Sequence, residues 1–323
     1  MGSGNLYVHF PFCRRKCSYC ALYSRAGASA EELGAYVRSL VPHVRGKYAT
    51  AYFGGGTPAL CDLKEIAGAI EADEFTVELH PLDADADLLS MLADAGVNRI
   101  SMGVQSLDDR TLETMGRGYT AAFAARAFSL VRSRFENAGV DFIIGYPGDP
   151  GADLGVLREW GARHCSAYTL QNERGLKGVA SDEEILDKMK SAAAELEAAG
   201  LVRYEISNFA LPGFECRHNM AVWRGEDYIG IGEGACGRVG LVRTRNAGTS
   251  KFTSETLTPE RDAVERAIFS LRTRVGLDTE RFPQWRKSLD GFAAEGLLVR
   301  ERARYCLTTR GMEVCDSILA AIV

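Results

Sequence analysis

The sequence predicts an α/β protein whose first part is a parallel barrel and whose last part is a small α+β module. Three observations lead there. Between Asn5 and Leu170 six short apolar runs alternate with helical stretches. The polar motifs that stand out lie where those runs end, which is where parallel barrels carry their functional residues. After Pro259 the pattern changes to two helices, an apolar pair of short strands and a last helix. Strands that are each followed by helical sequence argue a parallel sheet rather than an antiparallel one.

Asn5 to Phe10 reads as the first strand, and a helix follows with Leu33, Val37, Leu40, Val41 and Val44 at helical spacing. The second run, Ala51-Tyr52-Phe53, ends in Gly54-Gly55-Gly56-Thr57-Pro58. A helix is expected over Leu63 to Ala72, a strand over Phe75 to Leu79, a helix over Ala86 to Ala95 and a strand over Val97 to Val104. Helices near Asp109 to Met115 and Ala121 to Phe135 precede a fifth strand, Val140 to Ile144. A helix near Asp153 to Ala162 leads to the sixth strand, Ser166 to Leu170. Asp182 to Ala199 puts Ile185, Met189, Ala193 and Leu196 on one helix face. Val202 to Phe209 reads as a strand, and the stretch from Cys216 to Ala235 has no clean period and reads as a functional loop. The expected division is residues 1–240 and 241–323, the second part being winged-helix-like.

Composition narrows the classes of function. Of 323 residues 46% are hydrophobic and 25% charged, as in ordinary globular proteins. No apolar stretch is long enough to span a membrane, and Met1-Gly2-Ser3-Gly4 does not read as a signal peptide. Nine cysteines, an odd number, suit a reducing compartment better than a disulfide framework, so the expected setting is cytoplasmic. Net charge is −5, and residues 258–323 carry 11 Lys plus Arg against 10 Asp plus Glu, a net of +1. Neither figure gives the basic footprint of a nucleic-acid binder, so none is expected even though winged helices often bind DNA.

Directly after the first strand come Cys13, Cys17 and Cys20 in a CxxxCxxC array. Three thiolates from one loop can converge on one centre, and thiolates are the usual ligands of iron–sulfur clusters. Zinc with a distant histidine, or three unpaired thiols, are the other readings of the array alone. Zinc sites usually come as paired CxxC units, and no such pair exists here. The glycine run would let a ligand approach the backbone closely, although a tight strand-to-helix turn explains it equally well. Tyr7 and His9 share one face of the first strand.

With Tyr7-x-His9-x-Pro11-Phe12 before it, the cysteine array resembles the radical S-adenosylmethionine (SAM) superfamily, at its branch of coproporphyrinogen dehydrogenases and HemW-type heme chaperones. The resemblance implies an open, six-stranded partial TIM barrel and three cofactors: a 4Fe-4S cluster on Cys13, Cys17 and Cys20, SAM, and heme. It assigns Gly55, Gly56 and Thr57 to the methionine amino group of SAM. Glu78, Gln105, Arg117 and Asp141 go to its amino-acid and ribose groups, Tyr19 to its adenine, and Tyr7 to support of cluster or SAM. The match is close at Ile100-Ser101-Met102-Gly103-Val104-Gln105-Ser106, while His80 departs from the Asn or Asp usual after the Glu. Ala21-Leu22 stands where the dehydrogenases have a further cysteine. His218-Asn219 with Trp223 resembles the HNxxYW heme motif of the chaperones, Val222 replacing its tyrosine, and so implies His218 as a heme ligand. The expected function is therefore delivery of heme to acceptor proteins, with membrane-associated acceptors and a homodimer allowed by the resemblance. The alternative is oxygen-independent coproporphyrinogen III dehydrogenation.

Overall fold

The computed structural model describes residues 4–151, 153–248 and 252–322. The barrel begins with β1 (Asn5–Phe10), α1 (Ala30–Val44), β2 (Gly46–Gly55), α2 (Lys64–Gly68) and β3 (Ile70–Leu79). It continues with α3 (Ala86–Asp94), β4 (Arg99–Gln105), α4 (Asp109–Met115), α5 (Ala121–Arg134) and β5 (Asn137–Ile144), then α6 (Leu157–Trp160) and β6 (His164–Thr169). Each of these six strands pairs in parallel with the next. Helix starts are fixed locally: the side chains of Ser29, Asp85, Asp108 and Thr120 each accept a backbone N–H of the first turn. Gly116 and Gly161, both at positive φ, end α4 and α6.

Further on come α7 (Asp182–Ala198), β7 (Val202–Arg203), β8 (Asn208–Ala210), α8 (Arg217–Trp223), β9 (Tyr228–Ile231), β10 (Cys236–Val239), β11 (Val242–Asn246) and β12 (Phe252–Thr256). They complete a 12-stranded sheet in the order β12-β11-β10-β9-β1-β2-β3-β4-β5-β6-β8-β7. The stretch expected as a loop is therefore α8 and β9, and β9 runs parallel to β1 as a seventh parallel strand. Its period was hidden by its shortness and by Gly230, where a Cβ would stand 2.0 Å from the Cys236 carbonyl oxygen. Two other boundaries differ. The helix expected to Ala72 ends at Gly68, because Ile70 to Glu74 pair with β2 despite their polar sequence. The strand expected over Val202 to Phe209 is broken at Glu205, which bridges instead to Thr273.

The barrel core takes both faces of the strands, as parallel sheets covered by helices require. Leu6, Val8 and Phe10 of β1 are fully buried, and Phe10, Phe53 and Phe75 stack across β1–β3 with ring centroids 5.1 and 4.9 Å apart. Each such ring contributes roughly 1.5–3 kcal/mol by its burial. A second core gathers α9 (Pro259–Leu271), β13 (Leu277–Asp278), α10 (Arg286–Ala294), β14 (Leu298–Glu301), β15 (Arg304–Leu307), α11 (Thr309–Glu313) and α12 (Cys315–Ile322). Leu271, Leu277, Leu289 and Tyr305 are fully buried in it. The large sheet runs on past residue 240 through Thr256, so the division expected at 240/241 falls in the turn between β10 and β11, and the second core starts at α9.

Candidate functional site

The cysteine loop crosses the C-terminal ends of the barrel strands. Phe12–Cys13 pair with Arg25–Ala26 and close the loop at its base. Two of the three basic residues between the first two cysteines pin it to the barrel rim. Arg14 pairs with the buried Asp83 after β3, and Arg15 donates to the Gly116 carbonyl at 2.6 Å. Lys16 donates to Ser24 within the loop at 2.7 Å. Ser18 meets the Tyr146 hydroxyl at 2.9 Å, and Arg174 donates to the Cys20 carbonyl at 3.3 Å. Cys13, Cys17 and Cys20 are free, partly exposed thiols lining one cleft. Among the described residues no three His, Cys, Asp or Glu side chains are gathered as for a metal ion. A single zinc would need its donors about 2.0–2.3 Å from one point, whereas a cluster takes one thiolate per iron and tolerates separated sulfurs.

Beside the thiols the glycine run leaves no room for side chains. A Cβ at Gly56 would lie 2.4 Å from the Phe12 carbonyl oxygen and 2.9 Å from the Cys13 sulfur. Gly55 has φ 109°, and a Cβ there would strike the His9 ring at 2.7 Å. The backbone N–H of Gly55 donates to Glu78 at 3.1 Å, and the Tyr52 hydroxyl donates to its other oxygen at 3.0 Å. Burial first, and the nearby Asp141 second, push the Glu78 carboxyl up to about 7. The Ser101 hydroxyl shares its one hydrogen between the two Asp141 carboxylate oxygens, at 3.0 and 3.2 Å, and burial raises the Asp141 pKa too.

Gln105 ends β4 at a bulge with φ 76°, a left-handed conformation that costs a non-glycine residue roughly 1–3 kcal/mol. Such strain is stored where a side chain must be re-aimed, here into the cleft. Arg117 spreads its guanidinium over four groups: the Gly103 carbonyl at 2.6 Å, the Tyr119 hydroxyl at 2.9 Å, and the Cys17 sulfur and Tyr19 hydroxyl at 3.4 Å each. Tyr19 also meets Tyr146 edge-on at 6.3 Å. Thus Tyr19, Gly55, Gly56, Thr57, Glu78, Gln105, Arg117 and Asp141 line, together with the three cysteines, one cleft of about 1860 Å³.

Two expected residues lie elsewhere. Tyr7 is below the cleft and its hydroxyl donates to His9 Nδ1 at 2.9 Å, while His9 Nε2 donates to the Tyr23 carbonyl at 2.8 Å. Both therefore support the Gly55 backbone from behind. His218 does not line the cleft: it is buried beneath Tyr52, beside Asn5 at the start of β1, Thr50 of β2 and Glu74 of β3. Thr50 donates to Asn5 at 2.8 Å, so His218 Nδ1 carries the hydrogen that meets the Thr50 oxygen at 2.8 Å. Its backbone N–H goes to Glu74 at 3.0 Å, and its ring lies 6.3 and 5.3 Å from those of Tyr7 and Tyr52. Burial first, and Arg99 second, lower its pKa to about 4. Sequence reasoning missed Tyr52, which holds Glu78, and the contribution of α7 and the C-terminal module to the cleft wall. Tyr52 alternates with Ala51 and Phe53 as an inward residue would, but nothing local marks the C-terminal residues.

A parallel barrel with three loop cysteines at its strand ends and a glycine turn against them defines a radical SAM protein. The radical SAM superfamily profile matches residues 7–161. The heme chaperone HemW of Synechocystis is 30% identical over 86% of this chain and 80% of its own. That of Lactococcus lactis is 29% identical over 97% of this chain and 95% of its own. Coproporphyrinogen III oxidase (HemN) from Escherichia coli, a solved structure, superposes with TM-score 0.81 at 20% identity, covering 99% of this chain and 90% of its own, which shows a shared fold. The chain belongs to the radical SAM superfamily, in its HemW family. The superfamily's cofactors are a 4Fe-4S cluster and SAM, and the thiols, the glycine cradle and the buried polar side chains of the cleft suit them.

Proposed function

We propose that this chain is a radical SAM heme chaperone that holds a 4Fe-4S cluster on Cys13, Cys17 and Cys20, binds SAM beside it, and passes heme to acceptor proteins. The observation that carries the heme reading is the match to heme chaperones along nearly the whole chain. Ala21-Leu22, in place of the further cysteine of the dehydrogenases, supports it. The cluster, when bound, supplies one electron to the SAM sulfonium.

The protein's part is orientation and charge. Glu78, steadied by Tyr52 and Gly55, offers its carboxylate to the SAM ammonium and gives up its proton when that cation arrives. Arg117 offers a cation to the SAM carboxylate while keeping its bond to the Gly103 carbonyl. Gln105 and Asp141 would hold the ribose and Tyr19 the adenine, and Gly56 and Thr57 would let the methionine part lie close to the backbone. No described helix is long and apolar enough to cross a membrane. The proposed setting is the cytoplasm, with acceptors that include membrane-associated proteins and with a homodimer as a further assembly.

The test uses protein reconstituted anaerobically with iron and sulfide. One portion receives hemin and then an apo heme protein; another receives coproporphyrinogen III, SAM and a reductant. Hemin retained and handed on without porphyrinogen turnover is expected. Conversion to protoporphyrinogen IX with no hemin retained would overturn the reading. Cys17→Ala should lose the cluster absorption and its iron, whereas Cys61→Ala should keep both.

A further inference from the structure

His80 stands where Asn or Asp is usual after Glu78, and the contacts of the cleft leave half of its imidazole without a task. The residue lines the cleft at the head of the turn Pro81–Asp83. Its Nδ1 accepts the Leu82 backbone N–H at 3.2 Å, so in the neutral ring the hydrogen sits on Nε2. Burial first, then Arg117 and Arg14, lower its pKa to about 3, which keeps the ring neutral. The Nε2–H makes no hydrogen bond among the described residues, and it is not one of the unpartnered polar atoms sealed in the interior. The wall of the cleft thus carries a donor with no partner in the chain.

Beside it is a buried cation in a similar condition. Arg117 is 8% exposed, and its partners are a carbonyl, two phenols and the Cys17 sulfur, with no carboxylate among them. Nη2 and Nε are firmly held at 2.6 and 2.9 Å, whereas Nη1 has only the Cys17 sulfur and the Tyr19 hydroxyl, at 3.4 Å each. Tyr119 packs against both residues: its ring is 5.2 Å from that of His80 and 5.4 Å from the Arg117 guanidinium. Arg14, the other cation near His80, is already answered by Asp83. A buried guanidinium without a counter-ion calls for an anion. A carboxylate brings two oxygens, and when Arg117 Nη1 meets one of them the other still needs a donor.

The far end of the cleft is no rival seat for an anion. The groove there, between α7 and α11, is lined by more carboxylates than cations and is crossed by the Lys190–Glu313 ion pair at 3.4 Å. A negatively charged group is therefore drawn to the near end, beside the cysteines.

Resting on SAM as the ligand of this cleft, we propose that His80 is a second binding residue for the SAM carboxylate, its Nε2–H serving one oxygen while Arg117 serves the other. An Asp at this position would cap Leu82 equally well but set a negative charge against the ligand's own. An Asn would cap it too, yet its amide ends short of the place that Nε2 reaches. The imidazole does both tasks with one ring, the turn through Nδ1 and the anion through Nε2. The seat accordingly selects sulfonium nucleosides that keep the carboxylate over those that have lost it.

Two substitutions separate the two nitrogens. His80→Asn keeps an acceptor where Nδ1 stands and removes the Nε2–H, whereas His80→Gln keeps an N–H near Nε2 and gives up the acceptor. Calorimetry on the full, cluster-loaded chain measures the binding of SAM and of decarboxylated SAM. His80→Asn should weaken SAM binding about tenfold or more, the scale of one charge-assisted hydrogen bond, with decarboxylated SAM, cluster iron and melting temperature as in the parent. His80→Gln should stay close to the parent in SAM affinity and melt lower, because Leu82 has lost its partner. Parental SAM affinity in His80→Asn, or a loss as large for decarboxylated SAM as for SAM, would overturn the assignment and leave His80 a turn cap. A parent chain that binds neither ligand would instead remove the SAM reading itself.

Discussion

Glu78 shows how one buried side chain can report on its cleft. Its carboxyl is pushed from the ordinary 4.5 to about 7, chiefly by burial. Between those values the unfolded chain has released the proton while the folded chain keeps it, so stability falls as pH rises through that window and levels off above it. At about 1.36 kcal/mol per unit the loss amounts to about 3 kcal/mol. Glu78→Gln, which cannot ionise, should flatten this part of the pH dependence, and without cofactors it should melt higher than the parent at pH 8. Thermal melts of cofactor-free protein at pH 5 and pH 8 decide it; equal slopes for parent and variant would mean that Glu78 is ionised throughout. SAM affinity of the same variant should drop, because the ammonium loses its counter-charge. At this scale the sequence was readable wherever the chemistry is local. Three cysteines within eight positions and a glycine run announce themselves. His218 was marked by its motif, but its surroundings were not, since they come from Asn5, Thr50, Tyr52 and Glu74, which only the folded barrel brings to it.

Among the elements, β9 turns on a close backbone approach. Gly230 sits between β1 on one side and β10 on the other, with Tyr7 as its partner in register. A Cβ would meet the carbonyl oxygen of Cys236 at 2.0 Å, a backbone atom that no rotamer change can move aside. Gly230→Ala should therefore force β10 away and destabilise the barrel by about 1–3 kcal/mol or more, as overpacking does. Urea denaturation measures this, and a midpoint equal to the parent's would show that the ribbon yields freely. The same crowding explains why the strand was illegible: it demands glycine at Gly230, and a four-residue strand with one glycine shows no hydrophobic period. β1 and the second half of β2 were legible because they are buried and read as apolar runs, while the start of β2, Gly46 to Ala49, is less buried and was not read as strand. The first half of β3 was not, for Glu71, Asp73 and Glu74 lie in it and only pairing with β2 makes it a strand.

Across the molecule two cores meet through polar contacts whose partners no local pattern pairs. Arg238 of β10, 2% exposed, reaches Glu265 at 2.7 Å and Asp262, both on α9. Arg243 also binds Glu265 at 2.7 Å, and Arg266 binds Asp262 at 2.8 Å. The N–H of Arg274 donates to the Tyr204 carbonyl at 3.0 Å, and Trp223 packs on Phe269. Because so much of this junction is ionic, its strength depends on the one guanidinium that water does not reach. Arg238→Ala would leave two carboxylates short of a partner. They retain some exposure and keep Arg243 and Arg266, so the loss belongs near the low end of the roughly 3–5 kcal/mol typical of a broken buried pair. The consequence should be regional. The C-terminal module carries its own apolar core, so loosening the junction should free residues 257–322 for early proteolysis while the barrel still holds its cluster. Pulse digestion of cluster-loaded protein, followed by mass measurement and iron assay, distinguishes the outcomes. A barrel fragment that keeps its iron agrees with two cores joined at an ionic seam. Simultaneous loss of barrel, module and iron would show that the two cores unfold as one, with the groove between α7 and α11 part of a single cooperative unit.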